Sequence, residues 1–330
     1  MKLRDDRIAQ LDATCRAMSE NMMSQSMRHE NEVRKLRESE AAARRQLHEI
    51  QLGGNELAGS FPTEIYLLPN LNHLKLHSNT VYFSFEGIEN AKSLETLSLD
   101  DTGLDSMDGI GKARSPVEIH VSHNKLSGAI PEELSRLVNL KTFDASHNNL
   151  GGFLPYWLRS LASLTTFSAS YNELSGPVHD FSHLRHLIIL DLSHNDLTGP
   201  VPATLFGSVA DDEKVFADLS FNKLSGTVPG DLSRLNRLSL QVEANHISSV
   251  DDELCRIDGW NDFDVQRFGC DGFLCPIGSW NNLGRQSHED APCTPCKSAK
   301  YMGTTNCKSG ATVRTLGLWA AVLVSWILLV

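Results

Sequence analysis

Residues 190–202 read LDLSHNDLTGPVP, and the same frame recurs along the middle of the chain. Its copies read LGGNELAGSFP at 52–62, VSHNKLSGAIP at 121–131, ASHNNLGGFLP at 145–155, ASYNELSGPV at 169–178 and LSFNKLSGTVP at 219–229. The asparagine returns every 22 to 27 residues, with one Thr in its column, and marks nine repeats over residues 47–250. A period of this length predicts a repeat solenoid, in which each repeat packs against its neighbours.

Each repeat contains a short strand pattern. The residues three and five positions before the asparagine are apolar or Ala, as Leu192 and Leu190 are before Asn195. This period of two predicts a β-strand with one buried face. We expect the asparagine amides to bond backbone groups of neighbouring turns and so to build an Asn ladder inside the solenoid. The ladder comprises Asn55, Asn79, Asn124, Asn148, Asn172, Asn195, Asn222 and Asn245.

The full frame, LxxLxLxxNxLSGxIPxxLxxL, is that of plant-type leucine-rich repeats, and the chain resembles an extracellular, receptor-like member of that family. The resemblance implies an α/β repeat solenoid, a right-handed horseshoe with a parallel β-sheet on its concave face. The Gly-x-Ile/Val-Pro segment is expected to return the chain along the outer surface, because Pro fixes φ and has no N–H. The repeats around Asn79 and Thr102 lack this element, so their outer face is expected to be less regular.

A row of rings and acids is predicted on the concave face, where we expect the positions one, two and four before the asparagine to be exposed. Rings with flanking carboxylates would suit a protein, peptide or glycan ligand. The alternative is that these residues are ordinary consensus and bind nothing. The candidate ligand-binding residues are His120, His123, Asp144, His147, Tyr171, Asp191, His194, Asp218 and Phe221.

The rest of the sequence offers no chemistry. It contains no phosphate-binding loop, nucleophile elbow, His-Glu-x-x-His or kinase motif set, so we predict neither catalytic residues nor a cofactor. A metal site at His120, His123 and His147 is disfavoured because nothing marks a closed set of ligands. The net charge of −11 argues against nucleic acid as a partner.

Six of the seven cysteines lie between Cys255 and Cys307, in a segment predicted at 251–308 as a cysteine-rich cap. The pair Cys293 and Cys296 could belong to disulfides, to a zinc site or to a redox centre. A position directly after the last repeat favours disulfides that cap the open end of the solenoid.

The segment CPIGSW…CTPCKSAKYMGTTNC also resembles small modules of growth-factor-receptor and ephrin-receptor-like ectodomains. A similar box follows the repeats of leucine-rich-repeat proteins from photosynthetic protists. That resemblance implies the pairs Cys275–Cys293 and Cys296–Cys307, which leaves Cys255 with Cys270.

The two ends are predicted to carry separate elements. Apolar residues at helical spacing run from Ile8 to Ile50, and residues 1–46 are assigned as an N-terminal helix. This helix would either form a coiled-coil homodimer or dock on the first repeat. Residues 309–330 form a hydrophobic tail, read as a membrane helix, a lipid-anchor signal or a tail anchor.

These features together predict a non-enzymatic, membrane-tethered binding protein, receptor-like or adhesive, with its repeats at the cell surface. No secretory signal peptide is visible at Met1. Two alternatives stay open. The chain could be an intracellular scaffold anchored by its tail and dimerised by its helix, or the ectodomain part of a receptor kinase.

Overall fold

The computed structural model describes residues 2–113 and 115–307, with side chains from residue 22 onward. The tail predicted at 309–330 lies outside the described residues. The chain divides into two compact units, Met1–Leu126 with Pro131–Thr142, and Ser127–Ile130 with Phe143–Val330.

Within the described part of the chain, no helix combines the length and the apolar character needed to cross a membrane.

The first unit consists of one long helix and six strands. A parallel sheet is formed by β1, β3, β5 and β6, while β2 and β4 form a separate parallel pair. The elements are α1 (Lys2–Gln46), β1 (Glu49–Gln51), β2 (Ala58–Ser60), β3 (His73–Lys75), β4 (Thr80–Tyr82), β5 (Thr96–Ser98) and β6 (Glu118–His120).

The predicted N-terminal helix is confirmed, but the helical pattern extended to Ile50 is wrong at its end. Ile50 lies in β1, where it pairs with Leu74 of β3. The helix therefore ends before this residue, because β1 forms backbone hydrogen bonds with β3. Between residues 22 and 46 every side chain is exposed except those of Ser24 and Val33, which are half-buried. At the end of α1, the Asn70 amide donates to the Arg45 carbonyl at 2.7 Å.

The second unit carries the longer run of repeats. Parallel strands β8, β10, β12, β14 and β16 form an inner sheet, and β7, β9, β11, β13, β15 and β17 form an outer one. The strands are β7 (Ser127–Gly128), β8 (Thr142–Asp144), β9 (Asn149–Phe153), β10 (Thr166–Ser168), β11 (Glu173–Pro177), β12 (Ile189–Asp191), β13 (Asp196–Gly199), β14 (Lys214–Asp218), β15 (Lys223–Val228), β16 (Arg237–Gln241) and β17 (His246–Val250).

Short 3-10 turns follow four of the prolines that lie between strands. Those that follow Pro62, Pro131, Pro155 and Pro229 span Thr63–Leu67, Glu132–Arg136, Tyr156–Ser160 and Gly230–Arg234. The repeat around Thr102 lacks the Ser-Gly-x-Ile-Pro element, and none of its described residues between β5 and β6 forms an outer strand. The repeat around Asn79 has the 3-10 turn Ile88–Asn90, and the repeat around Thr102 has Ile110–Lys112.

The core consists of the two apolar positions of each inner strand pattern. Leu190 pairs in register with Phe167 and Ala217, so equivalent positions of successive repeats stack. Such stacking buries an apolar face that a single repeat would leave in water. From the second repeat onward these side chains are at most 2% exposed: Leu74, Leu76, Leu97, Leu99, Ile119, Val121, Phe143, Ala145, Phe167, Ala169, Leu190, Leu192, Ala217, Leu219, Leu240 and Val242. The predicted α/β repeat solenoid with parallel sheets is confirmed.

A small cap follows the last repeat. It contains α2 (Asp264–Phe268), the antiparallel pair β18 (Ser279–Trp280) and β19 (Thr294–Pro295), and 3-10 turns at Leu254–Arg256, Trp260–Phe263 and Gly269–Gly272. Asn261 Oδ1 accepts the backbone N–H of Leu240 at 2.9 Å, which occupies a free group of the edge strand β16. The fully buried Trp260 donates its indole N–H to the Leu235 carbonyl at 2.7 Å.

The six cysteines of the cap form three disulfides, and the predicted disulfide cap is confirmed. The pairs are Cys255–Cys270, Cys275–Cys293 and Cys296–Cys307, the pairing that the resemblance implied.

Candidate functional site

The residue before each ladder position has left-handed backbone geometry. Its φ lies between 52° and 54° in Ser78, Asp101, His123, His147, Tyr171, His194, Phe221 and Ala244. This conformation is uncommon for residues with a side chain, above all for bulky ones. It persists here because the backbone N–H of one such residue bonds the carbonyl of the next repeat, as Tyr171 does with Ser193 at 3.0 Å. The chain turns sharply at this point, and the sequence pattern alone did not reveal it.

Four of these residues form a continuous stack of rings, here called the ring ladder: His147, Tyr171, His194 and Phe221. The ring centroids of His147 and Tyr171 are 4.2 Å apart, those of Tyr171 and His194 3.9 Å, and those of His194 and Phe221 4.1 Å. The ring planes of neighbouring pairs are within 14° of parallel. Strands lie about 4.8 Å apart in a sheet, so the rings lean together to reach van der Waals contact.

The ring ladder presents ring edges to solvent. Tyr171 is 42% exposed and Phe221 43% exposed, and His147 is exposed while His194 is half-buried. The faces between consecutive rings are covered by the neighbouring ring, so these inner ring faces are not open to a ligand. Phe221 differs, because its only ring contact among the described residues is with His194.

The acids predicted to flank the rings are more buried than expected. Asp191 and Asp218 are register partners on β12 and β14, and Asp191 is only 8% exposed. Burial raises the pKa of Asp218 to about 7, with a smaller contribution from the charge of Asp191. Burial likewise raises the pKa of Asp191, against hydrogen bonds from Ser193. Asp144 on β8 is half-buried and accepts the backbone N–H of Ser146 at 3.0 Å.

In five repeats the position two before the asparagine, expected to be exposed, is a buried serine, whereas His77 at the same position is exposed. Ser193 bonds the acid of its own strand: both its N–H and its hydroxyl donate to Asp191 Oδ1, at 3.1 and 2.8 Å. These bonds turn the hydroxyl inward beside the carboxylate. Ser122, Ser146, Ser170, Ser193 and Ser220 are all 4–8% exposed.

The two acids and the rings influence one another electrostatically. Burial raises the pKa of Tyr171, and the charges of Asp218 and Asp191 add to the effect. Burial lowers the pKa of His194, with His147 contributing. The ring ladder is therefore a partly desolvated surface above two buried acids.

The two remaining candidates, His120 and His123, belong to the first unit. His120 is half-buried on β6, and His123 is exposed in the left-handed turn that follows. Among the described residues, no group of three or more His, Cys, Asp or Glu is placed to hold a metal ion.

The ladder asparagines make the expected kind of bonds. In Asn195, Nδ2 donates to the carbonyls of Ala169 and Leu192 at 2.9 and 3.1 Å, and Oδ1 accepts the N–H of Leu174 at 2.9 Å. Asn55 at the start is exposed, and its Nδ2 donates to the carbonyls of Leu52 and Gly53 in its own repeat. Thr102 partly replaces an amide, since its hydroxyl donates to the Leu99 carbonyl at 2.8 Å.

The sequence analysis did not predict a buried charge cluster that joins the last repeat to the cap. Arg285 Nε lies 3.2 Å from Glu243 Oε1, and the same guanidinium donates to Asp264. Burial raises the pKa of Glu243 to about 8, while Arg285 opposes the shift. No local motif could reveal the cluster, because its members are far apart in sequence.

Comparison with known proteins identifies the repeats. The family model described as Leucine Rich Repeat matches residues 115–137, 139–161 and 186–208. These three segments are therefore leucine-rich repeats. No curated protein matches the sequence.

Solved leucine-rich-repeat ectodomains are similar to this chain. The plant peptide hormone receptor RGFR1 in complex with RGF2 is 28% identical, with a TM-score of 0.56 over 66% of this chain and 39% of its own. PEPR1–AtPEP1 is 26% identical, with a TM-score of 0.56 over 66% of this chain and 34% of its own. The ectodomain of the Arabidopsis receptor kinase HAESA, at 21% identity and a TM-score of 0.53 over 66% and 45%, shares the fold. This chain thus spans less than half the length of these similar proteins.

Proposed function

We propose that this chain is a non-enzymatic, receptor-like binding protein that recognises a protein or peptide ligand along the ring ladder. Similarity to RGFR1, a peptide hormone receptor in complex with RGF2, supports a peptide rather than a small metabolite. The candidate surface comprises the ring ladder and the acids Asp144, Asp191 and Asp218. His120 and His123 of the first unit stay predicted ligand-binding residues.

The ring ladder is the observation that carries the proposal. Its rings are exposed, yet each is fixed by a left-handed backbone turn and by contact with the neighbouring ring. Aromatic side chains that are already ordered lose little rotamer entropy on binding, so they make effective contact points for a partner.

A peptide is favoured over a glycan by the same geometry. Sugars stack on open ring faces, but each of the four rings has a neighbouring ring against at least one face, and Tyr171 and His194 have one against both. Ring edges and His nitrogens offer hydrogen bonds and C–H contacts that an extended peptide can use along its length.

The setting that we propose is the cell surface. Three disulfides in the cap favour an oxidising compartment. A membrane anchor at 309–330 and pairing of α1 between two copies are further parts of this proposal.

Alkylation and mass spectrometry of the protein from its native source test the compartment. Six oxidised cysteines are expected, whereas free thiols would favour the intracellular scaffold.

A peptide-display screen on the full chain tests the ligand class. The double variant Tyr171→Ala/Phe221→Ala should weaken binding of a selected peptide at least about tenfold. The matched control is Tyr82→Ala/Phe153→Ala, which removes rings that are 78% and 68% exposed on outer strands. Equal binding by the ladder variant and the wild type would contradict the proposal, and so would a screen that yields no binder.

A further inference from the structure

Each left-handed residue before a ladder asparagine is here called a rung. The ring ladder ends at Phe221, although the backbone continues for one more rung. Ala244 occupies the next rung with φ 54°, compared with 53° in Phe221. The Phe221 N–H bonds the Glu243 carbonyl at 2.9 Å, the same link that joins the earlier rungs. The last rung therefore carries a methyl group where the previous four carry rings.

The missing ring leaves a step beside the outer face of Phe221. One side of this ring contacts His194, and the side chain as a whole is 43% exposed. Beyond Ala244 lies the cap, because Gly303 accepts the Ala244 N–H at 3.0 Å and the Met302 N–H bonds Ile247 at 2.9 Å. The rungs are 3.9–4.2 Å apart, so the step has the thickness of one planar ring.

The charge near this step is negative and has no basic partner. Asp218 lies three residues before Phe221, and Asp191 is its partner on the neighbouring strand. Neither acid forms an ion pair with a Lys or Arg of the described residues. Glu243 does not contribute, because Arg285 neutralises it. A ligand that covers this surface gains from carrying a positive charge near its ring.

We propose that the step above Ala244 is the binding site for one aromatic side chain of a basic peptide, which enters as the fifth ring of the stack. The proposal rests on the function proposed above and names the ligand chemistry of that surface. Three residues span at most about 10 Å of extended chain, so the basic residue lies within two or three positions of the aromatic one. The two acids disfavour an acidic glycan at the same place.

Three probe peptides test the chemistry on the full chain. The first is a hexapeptide with one Trp flanked by Arg and Gly residues; the second replaces Trp by Ala; the third replaces each Arg by Glu. We expect the first to bind most tightly by biolayer interferometry and each of the others to bind at least about fivefold more weakly. Equal binding of the Trp and Ala peptides would overturn the proposal, as would preference for a glucose oligosaccharide over the basic peptide.

Two protein variants test the position. Ala244→Phe fills the step from within, and the rung accepts it because Tyr171 and Phe221 already have the same backbone geometry. It should abolish binding of the Trp peptide while leaving the unfolding temperature unchanged or higher. Phe221→Leu keeps an apolar side chain but removes the flat face, and should weaken binding about fivefold. Phe153→Ala on the outer sheet is the control and should bind like the wild type.

The outcomes separate this site from the broader function. If Ala244→Phe and Phe221→Leu both bind the Trp peptide as the wild type does, the site is wrong, although a peptide screen that depends on Tyr171 would still support the proposed function. If neither the probes nor the screen yields a binder, both proposals fail. Loss of binding in Ala244→Phe together with a wild-type result for Phe153→Ala supports the site.

Discussion

Arg285 of the cap and Glu243 of the last repeat form a buried ion pair, with Nε and Oε1 3.2 Å apart. The side chains of Arg285, Glu243 and Asp264 are 17%, 6% and 11% exposed, and the guanidinium bridges both acids. The Glu243 carbonyl also accepts the N–H of Phe221, so the cap is linked directly to the ring ladder. A cap of this kind both covers the edge of the solenoid and fixes its last rung.

Replacing Arg285 by Leu should destabilise the protein by about 3–5 kcal/mol, because two buried carboxylates lose their only counter-charge. Urea unfolding of the oxidised protein at pH 8 measures the change. The triple variant Arg285→Leu/Glu243→Gln/Asp264→Asn removes the stranded charges and should recover much of the loss. A single variant as stable as the wild type would show that the ion pair does not hold the cap.

Asn195→Ala should cost about 2–4 kcal/mol, because it leaves the Leu174 N–H and two carbonyls unpaired in the interior. Asn55→Ala is the matched control, since Asn55 is exposed and water can replace its bonds. We expect the control to lower stability by less than about 1 kcal/mol. Comparable urea midpoints for the two variants would contradict a buried role for the Asn ladder.

The buried pair Asp191 and Asp218 should make stability fall as pH rises. The pKa of Asp218 is raised from 3.8 to about 7, so the folded protein holds a proton that the unfolded chain releases. The contribution is fully present below about pH 4 and is lost as pH rises towards 7. Asp218→Asn should flatten this part of the stability profile and raise stability at pH 8 by at least about 1 kcal/mol. An unchanged profile from pH 4 to 8 would exclude the raised pKa.

His194 should titrate below 6.5, because burial and His147 lower its pKa. The folded ladder prefers the neutral ring, so its contribution to stability is present above pH 6.5 and is lost as pH falls through the folded pKa. Side-chain NMR of His194 measures the titration directly. His194→Phe should keep the stack without this pH dependence, and His194→Ala should cost about 1–3 kcal/mol by removing two ring contacts.

The repeat architecture could be predicted because its physical causes are local. Leu190 and Leu192 lie two residues apart, so one strand face is apolar, and Asn195 follows at the turn. The prediction of helix at Ile50 was wrong because pairing with Leu74 decides that residue, and the partner is 24 positions away. The burial of Ser193 was missed for a related reason: its hydroxyl bonds Asp191 through a turn whose geometry the residue types do not encode.

The sequence by itself determined the repeat, the buried strand positions, the Asn ladder and a cysteine cap, since each follows from short-range spacing and from burial of apolar surface. The tertiary structure alone decided which of the candidate residues meet. Left-handed turns place His147, Tyr171, His194 and Phe221 in one stack and leave Ala244 as its open end. Contacts between residues more than 20 positions apart depend on the pitch of the solenoid and the direction of each side chain. Both arise only when the repeats pack.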